Sequence, residues 1–253
     1  MNLTARWSEL RIALMLLTRL PAGRIKGQVP SMAQSVWAWP IVGAVVGGLA
    51  ALTYGAAFAV GFGPVLAAML SLTVGLFVTG AMHEDGLADL ADGFGGGQSR
   101  HRKLEIMRDS RIGTYGVAAL ILSILLRVAA IESVANPIVV LPAMITLAVI
   151  SRTMMALWLY ALPPARTDGL GHGAARPAPL AVAAALTLAG MLSVLLLPFG
   201  TGLGVVVATV LGSGLVAMTA MRQIGGQTGD VMGGAQQIGE ISGWLALVIL
   251  IEI

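Results

Sequence analysis

The chain contains no cysteine in 253 residues, which excludes disulfides and thiolate metal sites. Charge is nearly as scarce: Asp, Glu, Lys and Arg together make up 11%, less than half the share usual in a soluble domain. The net charge of +3 is ordinary for a membrane protein with basic loops and gives no argument for a nucleic-acid partner. No cleavable signal is legible, because Arg6, Glu9 and Arg11 interrupt the start and the apolar run from Ile12 to Leu17 is short. A P-loop is missing too, since no Gly-Lys-Ser/Thr follows any glycine-rich stretch. Apolar residues are plentiful instead: 57% of the chain is hydrophobic and the mean hydropathy is +0.88, values of the integral membrane class.

The apolar residues come in runs, from about Val36 to Phe62, Val65 to Met82, Ile112 to Val134, Ile138 to Leu162, Leu180 to Leu197 and Leu203 to Met221. A bilayer span needs about 20 apolar residues, so these read as six spans. Trp37 and Trp39 open the first, as interfacial aromatics do, and Gly43 and Gly47 give it a small-residue spacing that permits close helix packing. The last run, Ile241 to Ile253, is short for a span unless its helix begins near Met232, which would make a seventh. Residues 1–35 are amphipathic: Trp7, Leu10, Leu14 and Leu17 recur at helical spacing, which predicts a helix lying in the interface, with a buried re-entrant helix as the rival. Pro21 ends it, and Arg24 and Lys26 follow in a loop. The expected fold is an all-α, polytopic transmembrane helical bundle, one integral membrane domain of six to seven spans plus the N-terminal helix.

Counting alternate connections, the N-terminal region and the polar segments 83–112, 163–179 and 222–240 fall on one side. That side carries nearly all the Lys and Arg, whereas the turns near Gly63, Asn136 and Gly200 carry none. The positive-inside rule makes the loaded side cytoplasmic.

On that side lies the stretch His83 to Gly97, HEDGLADLADGFGGG. It gathers Glu84, Asp85, Asp89 and Asp92, and on a helix the last three share one face. Clustered carboxylates need a counter-charge, and oxygen-only donors suit Mg²⁺ or Mn²⁺. A solvated acidic helix end explains one or two such acids, but poorly explains three on one stripe followed by Gly93, Gly95, Gly96 and Gly97. In the same segment, MRDSRIGTYG sets Arg108 and Arg111 close to Gly113 and Gly116 at an expected helix start. This is either a phosphate site or topology charge alone. Arg100, Arg102 and Lys103 read as topology charge. The stretch GGQTGD joins Gly225, Gly226, Thr228, Gly229 and Asp230, where amides can approach a ligand and Asp230 can serve as metal ligand or base. The plain alternative is a flexible capped turn. Arg152 falls inside the fourth span, where a charge is expensive, so it is expected to face a polar interior or pair with the acids. Arg127 and Glu132 are expected to pair with each other or snorkel to the far side. His83 and His101 read more readily as hydrogen-bonding residues than as bases.

In this order and at this spacing, HEDGLADLADGFGGG, RDSRIGTYG and GGQTGDVMGG resemble the cobalamin synthase family (adenosylcobinamide-GDP ribazoletransferase). LLTRLPAG and WPIVGAVVGG nearer the N-terminus are similar to it as well. The resemblance implies a Mg²⁺-dependent, multi-pass enzyme of the bacterial inner membrane with its active face in the cytoplasm. Such an enzyme joins adenosylcobinamide-GDP to α-ribazole, or its 5′-phosphate, and releases GMP. It further implies a catalytic set of Glu84, Asp85, Asp89, Asp92 and Asp230, with the metal on Asp85, Asp89 and Asp92. Phosphates would then fall to Arg108, Arg111, Arg152, Gly225, Gly226 and Thr228. The expected partners are the two small-molecule substrates and the lipid bilayer; a homo-oligomer and association with other cobalamin-synthesis enzymes both stay open. Another membrane phosphotransferase or prenyltransferase is the rival, although the DGxxAR pattern of CDP-alcohol phosphotransferases is absent: Leu87, Ala88 and Asp89 follow Asp85-Gly86. A transporter is the other, but its charges should lie near mid-membrane.

Overall fold

The computed structural model describes residues 3–25 and 27–251; Lys26 and the last two residues of the final apolar run lie outside the described residues. Among the described residues the chain forms eleven α-helices and no strand. The first half comprises α1 (Leu3–Leu17), α2 (Trp39–Ala59), α3 (Pro64–Thr79), α4 (Met82–Gly96), α5 (Arg100–Ile106) and α6 (Thr114–Val134). The second comprises α7 (Pro137–Ala161), α8 (Gly169–Gly173), α9 (Pro179–Leu196), α10 (Phe199–Ile224) and α11 (Gly229–Ile251). Among the described residues six helices are each long and apolar enough to cross a membrane: α2 with the 3₁₀ turn before it, α6, α7, α9, α10 and α11; the second expected run, now α3, reaches that length only together with α4 across a sharp bend. The protein is therefore a multi-pass helical membrane bundle.

The final helix settles the short last run. It starts at Gly229 and takes in the polar stretch GDVMGGAQQIGE, whose Gln236 and Gln237 are buried. At the centre stands α7, with 72% of its most apolar window buried, against 22% for α6 and α9. The predicted small-residue seam on α2 packs there: a Cβ at Gly43 would lie 2.7 Å from the Val149 Cα, and one at Gly47 2.7 Å from the Ile145 Cα. Only glycine lets the two backbones approach so closely. The N-terminal helix α1 buries Glu9, Ala13 and Leu17 and leaves Trp7 exposed. Its Glu9 carboxylate accepts from the Trp37 indole at 2.6 Å and from Arg6 at 2.7 Å, which fixes α1 to the 3₁₀ turn Met32–Ala38.

The segment 83–112, expected as a loop, is mostly helix. Gly80 and Ala81 both adopt left-handed backbone (φ 66° and 56°), and the chain turns there by 90° between α3 and α4. After that turn α4 packs against α11 and α6. It is helical because its face of small and apolar residues, including Gly86, Leu87, Leu90 and Gly93, is buried. Polar composition alone suggested a loop; the period of those residues makes an amphipathic helix.

Candidate active site

The site forms where α4 crosses the first turn of α11. A Cβ at Gly86 would sit 3.1 Å from the Asp230 Cα and 3.2 Å from the Gly233 Cα, so the helices touch backbone to backbone. That contact sets Asp85 and Asp89 beside Asp230. The Asp89 carboxyl is pushed up to about 7, first by burial and then by Asp85, Asp230 and Asp92, with Arg166 acting in the opposite direction. Arg166 comes from the connection after α7. It is delivered by a short bridge in which Gln227 N–H donates to the Pro163 carbonyl and Ala165 N–H to the Gln227 carbonyl, both at 2.8 Å. Its guanidinium stands 3.3 Å from the Asp230 carboxylate. Thr228 caps α11, accepting from Val231 N–H and donating to Asp230, both at 3.2 Å.

Asp92 has a different task from its two neighbours. Its carboxylate accepts from the Gly113 amide at 2.7 Å and the Gly116 amide at 2.9 Å, the free donors at the start of α6. Both oxygens are therefore committed to holding α4 against α6. Glu84 also turns away from Asp85 and Asp89. It is buried, accepts from Gln237 at 2.9 Å and lies 3.5 Å from Arg127. Arg127 in turn lies 3.7 Å from Glu240. This corrects the expectation for Arg127: it neither snorkels nor pairs with Glu132, which is exposed, because inward carboxylates from α4 and α11 offer it charge balance. Arg152 joins the same cluster, buried, donating to the Ala148 carbonyl at 3.1 Å and lining one small cavity with Glu84, Arg127 and Glu240. His83, buried too, stands between that cavity and the one bearing Asp85 and Asp230.

The remaining sequence candidates separate. Arg108 forms a two-pronged pair with Asp168 at 2.6 and 2.8 Å. Arg111 is paired with Asp109 and highly exposed, and it holds the Asp109 carboxyl below its usual range. Gly225 is the left-handed end of α10, and Gly226 packs against the Pro163 carbonyl; both shape the turn into α11. Arg166, Asp168 and Glu240 were given no role from the sequence, since each is brought to its place by contacts between distant segments.

Among the described residues, no group of three or more Asp, Glu or His side chains forms a ready metal cage. A Mg²⁺ ion carried by phosphates does not need one, because it keeps several waters and is held by one or two carboxylates. Asp85, Asp89 and Asp230 fit that requirement, an oxygen-donor set whose crowding pushes the Asp89 carboxyl up to about 7.

Fold and site together define a polytopic helical membrane protein with an acid cluster and a bordering arginine where α4 crosses α11. More narrowly, the chain belongs to the CobS family, cobalamin-5-phosphate synthase, which it matches over residues 9–248. It is 45% identical to the adenosylcobinamide-GDP ribazoletransferase of Bradyrhizobium diazoefficiens, over 92% of this chain and 90% of the relative. It is 41% identical to the enzymes of that name from Mesorhizobium japonicum and Azorhizobium caulinodans, over 92% and 91% of this chain and 90% of each relative. No solved structure matches the chain.

Proposed function

We propose that this protein is a Mg²⁺-dependent adenosylcobinamide-GDP ribazoletransferase of the bacterial inner membrane, with its site on the cytoplasmic face. The observation that carries the reading is the meeting of Asp85, Asp89 and Asp230 with Arg166 where α4 crosses α11, in a chain that matches the family along nearly its whole length. The orientation rests on the basic residues, which gather in the segments joining the helices on the site's side.

In the reaction a ribose hydroxyl of α-ribazole, or of its 5′-phosphate, forms a bond to the phosphorus that bears the cobinamide arm. The bridging P–O bond to the guanylate breaks, and GMP leaves. The protein contributes positioning and charge stabilisation, the main sources of catalysis in such transfers. Asp85, Asp89 and Asp230 would hold the cation, which would supply neutralisation of the diphosphate charge. Arg166, beside Asp230, would offer a phosphate the part of its guanidinium that Asp230 does not engage. Asp92 keeps α4 in place on α6, and the cluster of Glu84, Arg127, Arg152 and Glu240 fixes its first turn from within the bundle. A transporter could claim that cluster as a mid-membrane site, but its cavity holds about 50 Å³, room for water and not for a solute.

The test is direct. Purified protein in lipid, given both substrates and Mg²⁺, should release GMP in proportion to cobalamin formed, and chelation should stop it. Absence of GMP release with either form of α-ribazole would overturn the reading.

A further inference from the structure

Two open cavities meet at Arg166, and their walls differ in chemistry. The inner one, about 240 Å³, carries Asp85 and Asp230 on one wall; Leu16, Leu17, Trp39, Met155 and Leu159 make much of the rest. The outer one, about 760 Å³, lies between α5 and the connection after α7. Arg100, Arg108, Arg166, His101 and His172 line it against the single acid Glu105. We propose that the outer cavity binds the nucleoside-diphosphate arm of one substrate and the inner cavity binds the heteroaromatic base of the other, with Arg166 as the shared wall where phosphorus and hydroxyl meet. This assignment rests on the function proposed above and divides its two substrates between two places.

Charge decides which substrate goes where. Apart from Arg166 at the shared wall, the lining of the inner cavity holds no lysine or arginine, so the nucleotide arm has no cationic partner deeper in it, and its phosphates would meet the cation proposed for Asp85, Asp89 and Asp230 at that wall. In the outer cavity the arm meets a cationic surface. Arg100 is already committed, donating to the Ile224 carbonyl at 2.7 Å and the Ala165 carbonyl at 3.0 Å, so it shapes the wall. Among the described residues Arg108 is paired with Asp168 in an exposed pair, a weak contact that a phosphate can displace. Arg166 reaches Asp230 and the Leu104 carbonyl through one terminal nitrogen, while its buried Nε has no partner. His101 and His172 add hydrogen-bonding groups and flat faces for a purine.

Size agrees with charge. Pockets for drug-sized ligands run from about 300 Å³ upward, so the inner cavity suits one fused aromatic ring system and the outer one a nucleotide. A corrin macrocycle fits neither and remains outside both. The indole of Trp39, buried at the inner wall, offers the base a large flat apolar partner.

The experiment uses the full-length protein in lipid, with GDP binding measured directly and steady-state kinetics run with unphosphorylated α-ribazole. His101→Glu and His172→Glu alter exposed positions on the outer wall. Each should weaken GDP binding about tenfold or more, the loss of one charge-assisted contact with repulsion added, and raise KM for adenosylcobinamide-GDP while leaving KM for α-ribazole unchanged. Leu16→Trp and Leu170→Trp fill the inner cavity from partly or well exposed positions and should do the reverse. GDP affinity indifferent to both outer-wall variants, or a rise in α-ribazole KM from them, would overturn the assignment even if GMP release is normal. Conversely, GDP binding with the expected variant pattern but no GMP release would leave the outer subsite standing and remove the reaction.

Discussion

At the scale of single residues, the decisive fact is that the acids of α4 do not act alike. Asp89 is crowded, with its carboxyl pushed up to about 7 by burial and by three neighbouring carboxylates. A raised carboxyl pKa means that folding retains a proton the unfolded chain would release. Stability should therefore fall as pH rises from the ordinary carboxylate range toward 7, and a bound cation should recover it. Asp89→Asn should flatten that slope, seen as a smaller difference between the melting temperatures at pH 5 and pH 8 than in the unaltered protein, without divalent ions. The same change should lower kcat by roughly 100-fold through loss of charge placement, with the protein still folded in the membrane. Wild-type turnover by the Asn variant at limiting Mg²⁺ would show that Asp89 holds no metal.

Among the elements, α4 is the piece on which the site depends, and it is held from two directions. Asp92 joins its far end to the free amides of α6. At its start, Glu84 meets Arg127 and Gln237, so α4, α6 and α11 share one buried polar contact. Removing one member of such a cluster strands the other charge in a low-dielectric interior, which costs about 3–5 kcal/mol. Arg127→Met alone should therefore reduce the yield and melting temperature of the protein in detergent. Adding Glu84→Gln should restore part of the loss, because the stranded carboxylate is then neutral. Strictly additive losses in that double-mutant cycle would argue against a coupled pair.

For the whole molecule, the prediction concerns orientation. The absence of cysteine makes single-cysteine labelling clean. Ser99, exposed just before α5, and Gly63, exposed in the turn before α3, lie toward opposite ends of the bundle. With the site in the cytoplasm, Gly63→Cys should react with an impermeant thiol reagent in intact cells whose outer membrane has been permeabilised, and Ser99→Cys only after the inner membrane is opened. The reverse pattern would place the acids outside. Gln227, although in a polar stretch, is a poor reporter because it is buried and donates to the Gly171 carbonyl at 3.0 Å.

Local pattern alone determined the membrane class, the spanning helices other than α3, which ends in a sharp bend, and the tight α2 seam at Gly43 and Gly47. These features are legible because hydropathy, small-residue spacing and clustered charge are properties of neighbours in the chain. Tertiary structure decided which of the clustered residues meet one another. Asp85 and Asp89 face Asp230, whereas Glu84 and Asp92, one helical face and a few residues away, are taken up by Arg127 and by the amides of Gly113 and Gly116. Arg152 was legible as an inward charge, but its place within the buried cluster was not. Arg166 could not be singled out from other loop arginines until the bridge between Pro164 and Gln227 brought it to the acids. Spacing along one helix fixes which side chains share a face; only the packing of α4 against α6 and α11 supplies the different partners among which its acids are divided.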